Sequence, residues 1–213
     1  MSSQLLTLSR WIRLCLAASV LGGLLIHFSG TANADAQLNQ LVIGNQLAAL
    51  KSALENTPWN KVELGDALIA AAGVNSVVAT ETLLAAGAPV DHSYLHRTPL
   101  IVGIVEDHPE VTLILLKNGA DVNFVSTYSW RPLHYAITKQ KANSQIIKYL
   151  IEFGADIDAK TSLELTPLHR AAGFCQIEAA QILISAGANL KARDKRGLSA
   201  SERAKSAGCS ISQ

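Results

Sequence analysis

The chain has 213 residues, 49% of them apolar, and its 18 basic and 17 acidic side chains leave a formal charge of +1. That near-neutral balance argues against a general affinity for nucleic acid or anionic membrane. The length suits one domain, with enough apolar residues for a continuous core.

Residues 1–34 read as a secretory leader cleaved after Ala34. Arg10 and Arg13 supply a positive start, and Leu14 to Phe28 is a mostly apolar core of 15 residues. Ala32-Asn33-Ala34 then puts small residues where a signal peptidase reads. A spanning helix needs about 20 apolar residues, and Ser19, Gly22, Gly23 and His27 interrupt this stretch. The alternative is an uncleaved N-terminal anchor; cleavage leaves no stable membrane anchor. Cys15 lies at the start of the apolar core, not at the cleavage end, which argues against a lipid-modified N-terminus. Without Arg10 and Arg13 the basic residues fall to 16 against 17 acidic, a net of −1. There is no Asn-x-Ser/Thr sequon, and a bacterial periplasm is the expected location.

Residues 35–60 show helical spacing at Leu38, Leu41, Val42, Leu47, Leu50 and Leu54. Gly44-Asn45 falls where two short helices would meet, so this segment is expected to be an N-terminal helical cap, a degenerate first repeat. Beyond it a six-residue pattern recurs: Leu83-Leu84 to Gly87-Ala88, Leu115-Leu116 to Gly119-Ala120, Leu150-Ile151 to Gly154-Ala155, and Leu183-Ile184 to Gly187-Ala188. The steps between glycines are 32, 35 and 33 residues, and a fixed period in that range signals stacked repeats. Such stacks present extended binding surfaces, which lowers the expectation of catalysis.

Thr166 to Asn189 is the best-formed unit. Thr166 can cap a first turn with its hydroxyl, and Pro167 suits the next position with its fixed φ and missing N–H. Leu168, Ala171 and Ala172 form a narrow apolar stripe that lets a neighbouring helix approach closely. Ile177, Ala180, Leu183 and Ile184 mark a second helix, which Gly187 ends with a left-handed residue. The same opening stands at Thr98-Pro99-Leu100 and Arg131-Pro132-Leu133-His134, and degraded versions stand at Asp66-Ala67-Leu68 and Ser199-Ala200. Four repeats are expected over 61–198, followed by a C-terminal capping repeat and tail over 199–213. The third repeat carries surplus residues in the polar run Lys139 to Ser144, at the turn between its helices.

The Thr-Pro-Leu-His opening, the Leu-Leu-x-x-Gly-Ala ending and the tails Val90-Asp91, Val122-Asn123 and Ile157-Asp158 together resemble ankyrin repeats. The resemblance covers roughly residues 60–208. It implies an all-α solenoid of helix-turn-helix units joined by β-hairpin-like loops, or fingers. It also implies a non-catalytic protein that grips another protein with its fingers and concave face. His134 and His169, at the fourth position of the opening, would tie neighbouring loops together by hydrogen bonds.

The finger segments are Val90 to Arg97, Val122 to Arg131, Ile157 to Leu165 and Leu190 to Leu198. Their candidate partner-binding residues are Tyr94, Leu95 and Arg97, then Thr127, Tyr128 and Trp130, then Leu163 and Leu165; aromatics and Arg are enriched at interface hot spots. The alternative is that some of these pack under their own loops, Phe124 above all. The family pattern has Gly two residues before the Thr. Only Gly197 keeps it, while His96, Ser129 and Glu164 replace it, so those fingers are expected to turn differently.

Cys175 and Cys209 fall at nearly equivalent turns of consecutive repeats. Both a disulfide and two free thiols fit that placement. No catalytic motif or cofactor site is present, and the remaining histidines, His92, His96 and His108, have no metal-ligand spacing with any Cys or carboxylate cluster. The expected partner is another periplasmic protein, with no nucleic acid, and the chain itself is expected to be a monomer. Two versions follow: an immunity protein that neutralises an antibacterial enzyme in the periplasm, or an accessory to catalase in oxidative-stress protection.

Overall fold

The structure, a computed structural model, describes residues 32–137 and 142–211. The leader up to Thr31, including Cys15, and residues 139–141 of the polar run lie outside the described residues. Among the described residues no helix is long and apolar enough to cross a membrane.

Among the described residues there are eleven α-helices, ten of them in pairs. The first pair is α1 (Ala32–Ile43) and α2 (Leu47–Asn56), then α3 (Lys61–Gly73) and α4 (Val77–Ala85), then α5 (Pro99–Val105) and α6 (Pro109–Lys117). After these come α7 (Pro132–Ala136) with α8 (Ser144–Glu152), α9 (Pro167–Gly173) with α10 (Ile177–Ser185), and a lone α11 (Ala200–Ser206). The first helices α3, α5, α7, α9 and α11 pack successively in one row, and the second helices α2, α4, α6, α8 and α10 in another. The two rows share one core. Leu38, Leu50, Leu68, Leu83, Leu100, Leu115, Leu133, Leu150, Leu168 and Leu183 are all essentially inaccessible. Alanines at 67, 71, 72, 136, 171, 172, 200 and 204 are buried in the first-helix row. Their small side chains bring those helices close.

The six-residue word is a helix stop. Gly87 donates to the Leu84 carbonyl and Ala88 to the Leu83 carbonyl, at 3.0 Å each. The same pair of bonds recurs at Gly119-Ala120, Gly154-Ala155 and Gly187-Ala188, and again at Gly208-Cys209. This is the Schellman arrangement, in which two orphan carbonyls are satisfied by residues after the helix. It needs a left-handed residue, and the four repeated glycines have φ between 84° and 95°. The Leu and Ala of each word are buried together, supplying the apolar contact that accompanies the motif.

Helix starts are equally local. Asn60 and Ser199 form capping boxes with Glu63 and Glu202, and Thr98 accepts from the Ile101 N–H. Thr166 forms a box in which His169 replaces the usual Glu, its Nδ1 accepting from the Thr166 N–H at 3.3 Å. The turns between first and second helices place Asn45, Asn75, Asp107 and Cys175 at φ 52–68°. Asn and Asp are the side chains most tolerant of that region.

Candidate protein-binding surface

The first two fingers turn differently from the Gly197 finger, as the sequence suggests. Each has two consecutive left-handed residues, Leu95 with His96 and Tyr128 with Ser129. The Glu164 finger keeps the Gly197 turn, against expectation. His96, Ser129 and Glu164 occupy the same left-handed region as Gly197, at φ 60°, 57°, 57° and 75°. The first finger is a two-residue hairpin in which Tyr94 and Arg97 exchange both backbone bonds, at 3.1 and 3.0 Å. Leu95 and His96 are both left-handed, a type I′ turn. The third and fourth share another turn: Thr161 N–H to Leu165 carbonyl and Glu164 N–H to Thr161 carbonyl, matched by Asp194 to Leu198 and Gly197 to Asp194. A side chain braces each. The Thr161 hydroxyl accepts from the Leu163 and Leu165 N–H groups, and the Asp194 carboxylate from those of Arg196 and Leu198. Backbone hydrogen bonds and these braces outweigh the left-handed cost of about 1–2 kcal/mol per residue.

Neighbouring fingers are joined into a row. Ser126 Oγ donates to the His96 carbonyl at 2.7 Å, Ser162 N–H to the Tyr128 carbonyl at 2.9 Å, and Lys195 N–H to the Leu163 carbonyl at 3.1 Å. At the base, each tail carboxylate or amide accepts a backbone N–H of the next repeat: Asp91 from Asp121, Asn123 from Asp156, and Asp158 from Asn189, at 2.8–2.9 Å. This explains why those tails end in Asp or Asn. His134 and His169 latch the row to the helices. Their Nε2–H groups donate to the Leu165 and Leu198 carbonyls at 3.1 and 3.0 Å, while each Nδ1 accepts from the cap residue's N–H. Both rings are buried. Burial lowers the His134 pKa to about 4, assisted by the Arg170 and Arg131 charges, and lowers that of His169 as well.

On this braced row Tyr94, Leu95, Tyr128 and Leu163 are 62%, 72%, 74% and 58% exposed, and Thr127 is exposed beside them. Arg97, Leu165, Trp130 and Phe124 are half-buried instead. Trp130 packs edge-on against Tyr135, with ring centres 5.0 Å apart, and the Arg170 guanidinium lies 4.0 Å over its ring. Tyr135 in turn bonds the Ser126 hydroxyl at 2.9 Å. Sequence reasoning missed Val125, which is 56% exposed, together with Tyr135, Arg170 and Phe174. The signal was the register. Val102, Tyr135, Arg170 and Arg203 each stand four residues after a helix-opening position, so they form one column along the first-helix row.

Beside that surface, Cys175 and Cys209 are joined by a disulfide with Cα atoms 5.8 Å apart, inside the range a bridge requires. Among the described residues no cluster of His, Cys, Asp and Glu could hold a metal ion.

Comparison with known proteins agrees with the architecture. Residues 115–194 match the family described as ankyrin repeats in three copies, and residues 95–127 match a further ankyrin repeat. The chain carries an ankyrin-repeat domain, all-helical among the described residues. It is 35% identical over 103 residues to ankyrin repeat and SOCS box protein 11 of Homo sapiens, covering 48% of this chain and 31% of that protein. It is also 34% identical over 94 residues to ankyrin repeat and KH domain-containing protein mask-1 of Caenorhabditis elegans, covering 44% of this chain and 4% of that protein. A putative ankyrin repeat protein of Fowlpox virus, FPV233, is 45% identical over 56 residues, or 26% of this chain and 11% of the viral one. The chain thus spans less than a third of the length of these relatives. Ankyrin repeats bind proteins generally and are typically non-catalytic.

Proposed function

We propose that this chain is a non-catalytic, exported protein that binds a protein partner in the periplasm through its fingers and first-helix face. The observation that carries the binding surface is the row of exposed Tyr94, Leu95, Val125, Tyr128 and Leu163 on fingers bonded to one another. Large apolar groups held out on a rigid support mark an interaction surface, because exposing them costs free energy until a partner covers them. Export rests on the leader pattern of residues 1–34.

The test is capture from periplasmic extract of the source bacterium by the wild type and by Leu95→Ser/Tyr128→Ser. Both side chains are more than two-thirds exposed, so the double variant should melt like the wild type. Specific capture by the wild type, lost in the variant, is the expected result. Equal capture by both refutes the surface. Retention of the protein in the cytoplasm, unprocessed, refutes the address. An antibacterial enzyme among the captured proteins assigns the immunity role, and a catalase assigns oxidative-stress protection.

A further inference from the structure

Arg170 is an unusual arginine for this surface. Its residue is half-buried, its Nε is fully buried without a hydrogen-bond partner, and it forms no ion pair with any described carboxylate. Its guanidinium lies 4.0 Å from the centre of the Trp130 ring and 5.3 Å from that of Phe174, which is 52% exposed. The next residue in the column, Arg203, is already committed: its Nε donates to Asp194 at 2.6 Å, and the Asp194 side chain is only 1% exposed. The site thus holds two guanidinium charges and one carboxylate. Stacking on aromatic faces fixes the plane of Arg170 but leaves its N–H donors unfilled.

Building on the protein-binding reading above, we propose that Arg170, walled by Trp130 and Phe174, is an anchor for an Asp or Glu side chain of the partner protein. A planar guanidinium takes a carboxylate through two parallel N–H···O bonds. Here the bond would form in an aromatic setting where water competes poorly. The acceptor is a side chain and not a chain terminus. Capture of a C-terminal carboxylate uses free backbone N–H groups, and those of Arg170 and Phe174 are taken up inside α9 and its cap. Bonded in this way, the acidic group supplies the charge the column lacks, while the exposed fingertips cover the apolar part of the partner.

The test uses hexaglutamate, acetylated and amidated so that its only carboxylates are side chains, titrated into the protein by calorimetry and by NMR of the Trp130 indole N–H. That resonance is identified by its loss in Trp130→Phe. Saturable binding that moves it is expected, with hexaglutamine amide inert. Arg170→Gln should weaken binding at least about tenfold, as expected for loss of a desolvated charge contact, and Arg170→Lys should lie between. The control Arg196→Gln, at an exposed position, should match the wild type. The proposal is overturned if hexaglutamate binds no better than hexaglutamine, if both Arg170 variants bind like the wild type, or if only hexaglutamine with a free C-terminal carboxylate binds. Capture of a partner unchanged by Arg170→Gln but lost in Leu95→Ser/Tyr128→Ser overturns this anchor and leaves the binding function standing.

Discussion

Lowering the pH from 7 to 5 should destabilise the fold through His134, by about 2 kcal/mol from this residue alone. In the folded chain burial holds the pKa of this fully buried ring at about 4, against 6.5 for an unperturbed one. Its Nδ1 is committed as an acceptor from the Arg131 N–H, so a second ring proton would set two donors against each other. Between pH 6.5 and 4 the unfolded chain binds a proton that the folded chain refuses. Stability is therefore complete above the unfolded pKa and is lost as the pH falls toward the folded one. Within that window each step of one pH costs about 1.4 kcal/mol, so most of the loss is already expressed at pH 5. His169, lowered by burial in the same direction, adds to it. The assay is urea unfolding at pH 7 and pH 5, in wild type and His134→Gln. The Gln amide can still donate to the Leu165 carbonyl but does not titrate in this range. At a typical slope the wild-type midpoint should fall by roughly 1 M urea, and the variant's by clearly less. Equal falls in both proteins would refute the linkage assigned to His134.

The finger turns make a prediction of opposite sign. Glu164→Gly should stabilise the protein by about 0.5–1 kcal/mol, because a left-handed non-Gly residue costs more than the added chain entropy of glycine; its ion pair with Lys160 is long, at 3.4 Å, and exposed. Thermal melting checks this, and a lower melting temperature would show that the side chain contributes to the turn. Reducing the Cys175–Cys209 bridge, or replacing both residues with Ala, should cost about 3–4 kcal/mol for a closure of 34 residues in the chain-entropy picture. Denaturation with and without reductant measures it, and no difference would mean that the last repeat is held by packing alone.

Fold and register were legible because each repeat signals locally. Leu-Leu-x-x-Gly-Ala contains its own helix stop, and Thr166 and Ser199 contain their own helix starts. The fingers were less legible. A missing glycine suggests another turn, which holds at His96 and Ser129, where two consecutive residues are left-handed, but not at Glu164, which keeps the turn of Gly197. What holds these residues left-handed is a set of bonds that are partly local, such as those to Thr161 Oγ1, and partly to adjacent fingers, as from Ser126 to His96. The exposed Tyr94, Leu95, Tyr128 and Leu163 could be read from residue type and position. Trp130 could not, because its burial depends on Tyr135 and Arg170, the latter 40 residues away. Contacts across repeats emerge only when equivalent positions are aligned as a column.

The two histidine latches and the disulfide all fall in the carboxyl-terminal half. The third and fourth repeats carry His134 and His169, while Ile101 takes the equivalent place in the second. In a stack where each unit touches only its neighbours, local opening follows the weakest end. The amino-terminal half has ties of its own, His92 to Asp66 and His108 to the Ala72 carbonyl. The described part of it holds no covalent bridge, so the solenoid is expected to open first from its amino-terminal helices. A partner seated on Tyr128, Trp130 and Leu163 would rest on the part of the molecule that lets go last.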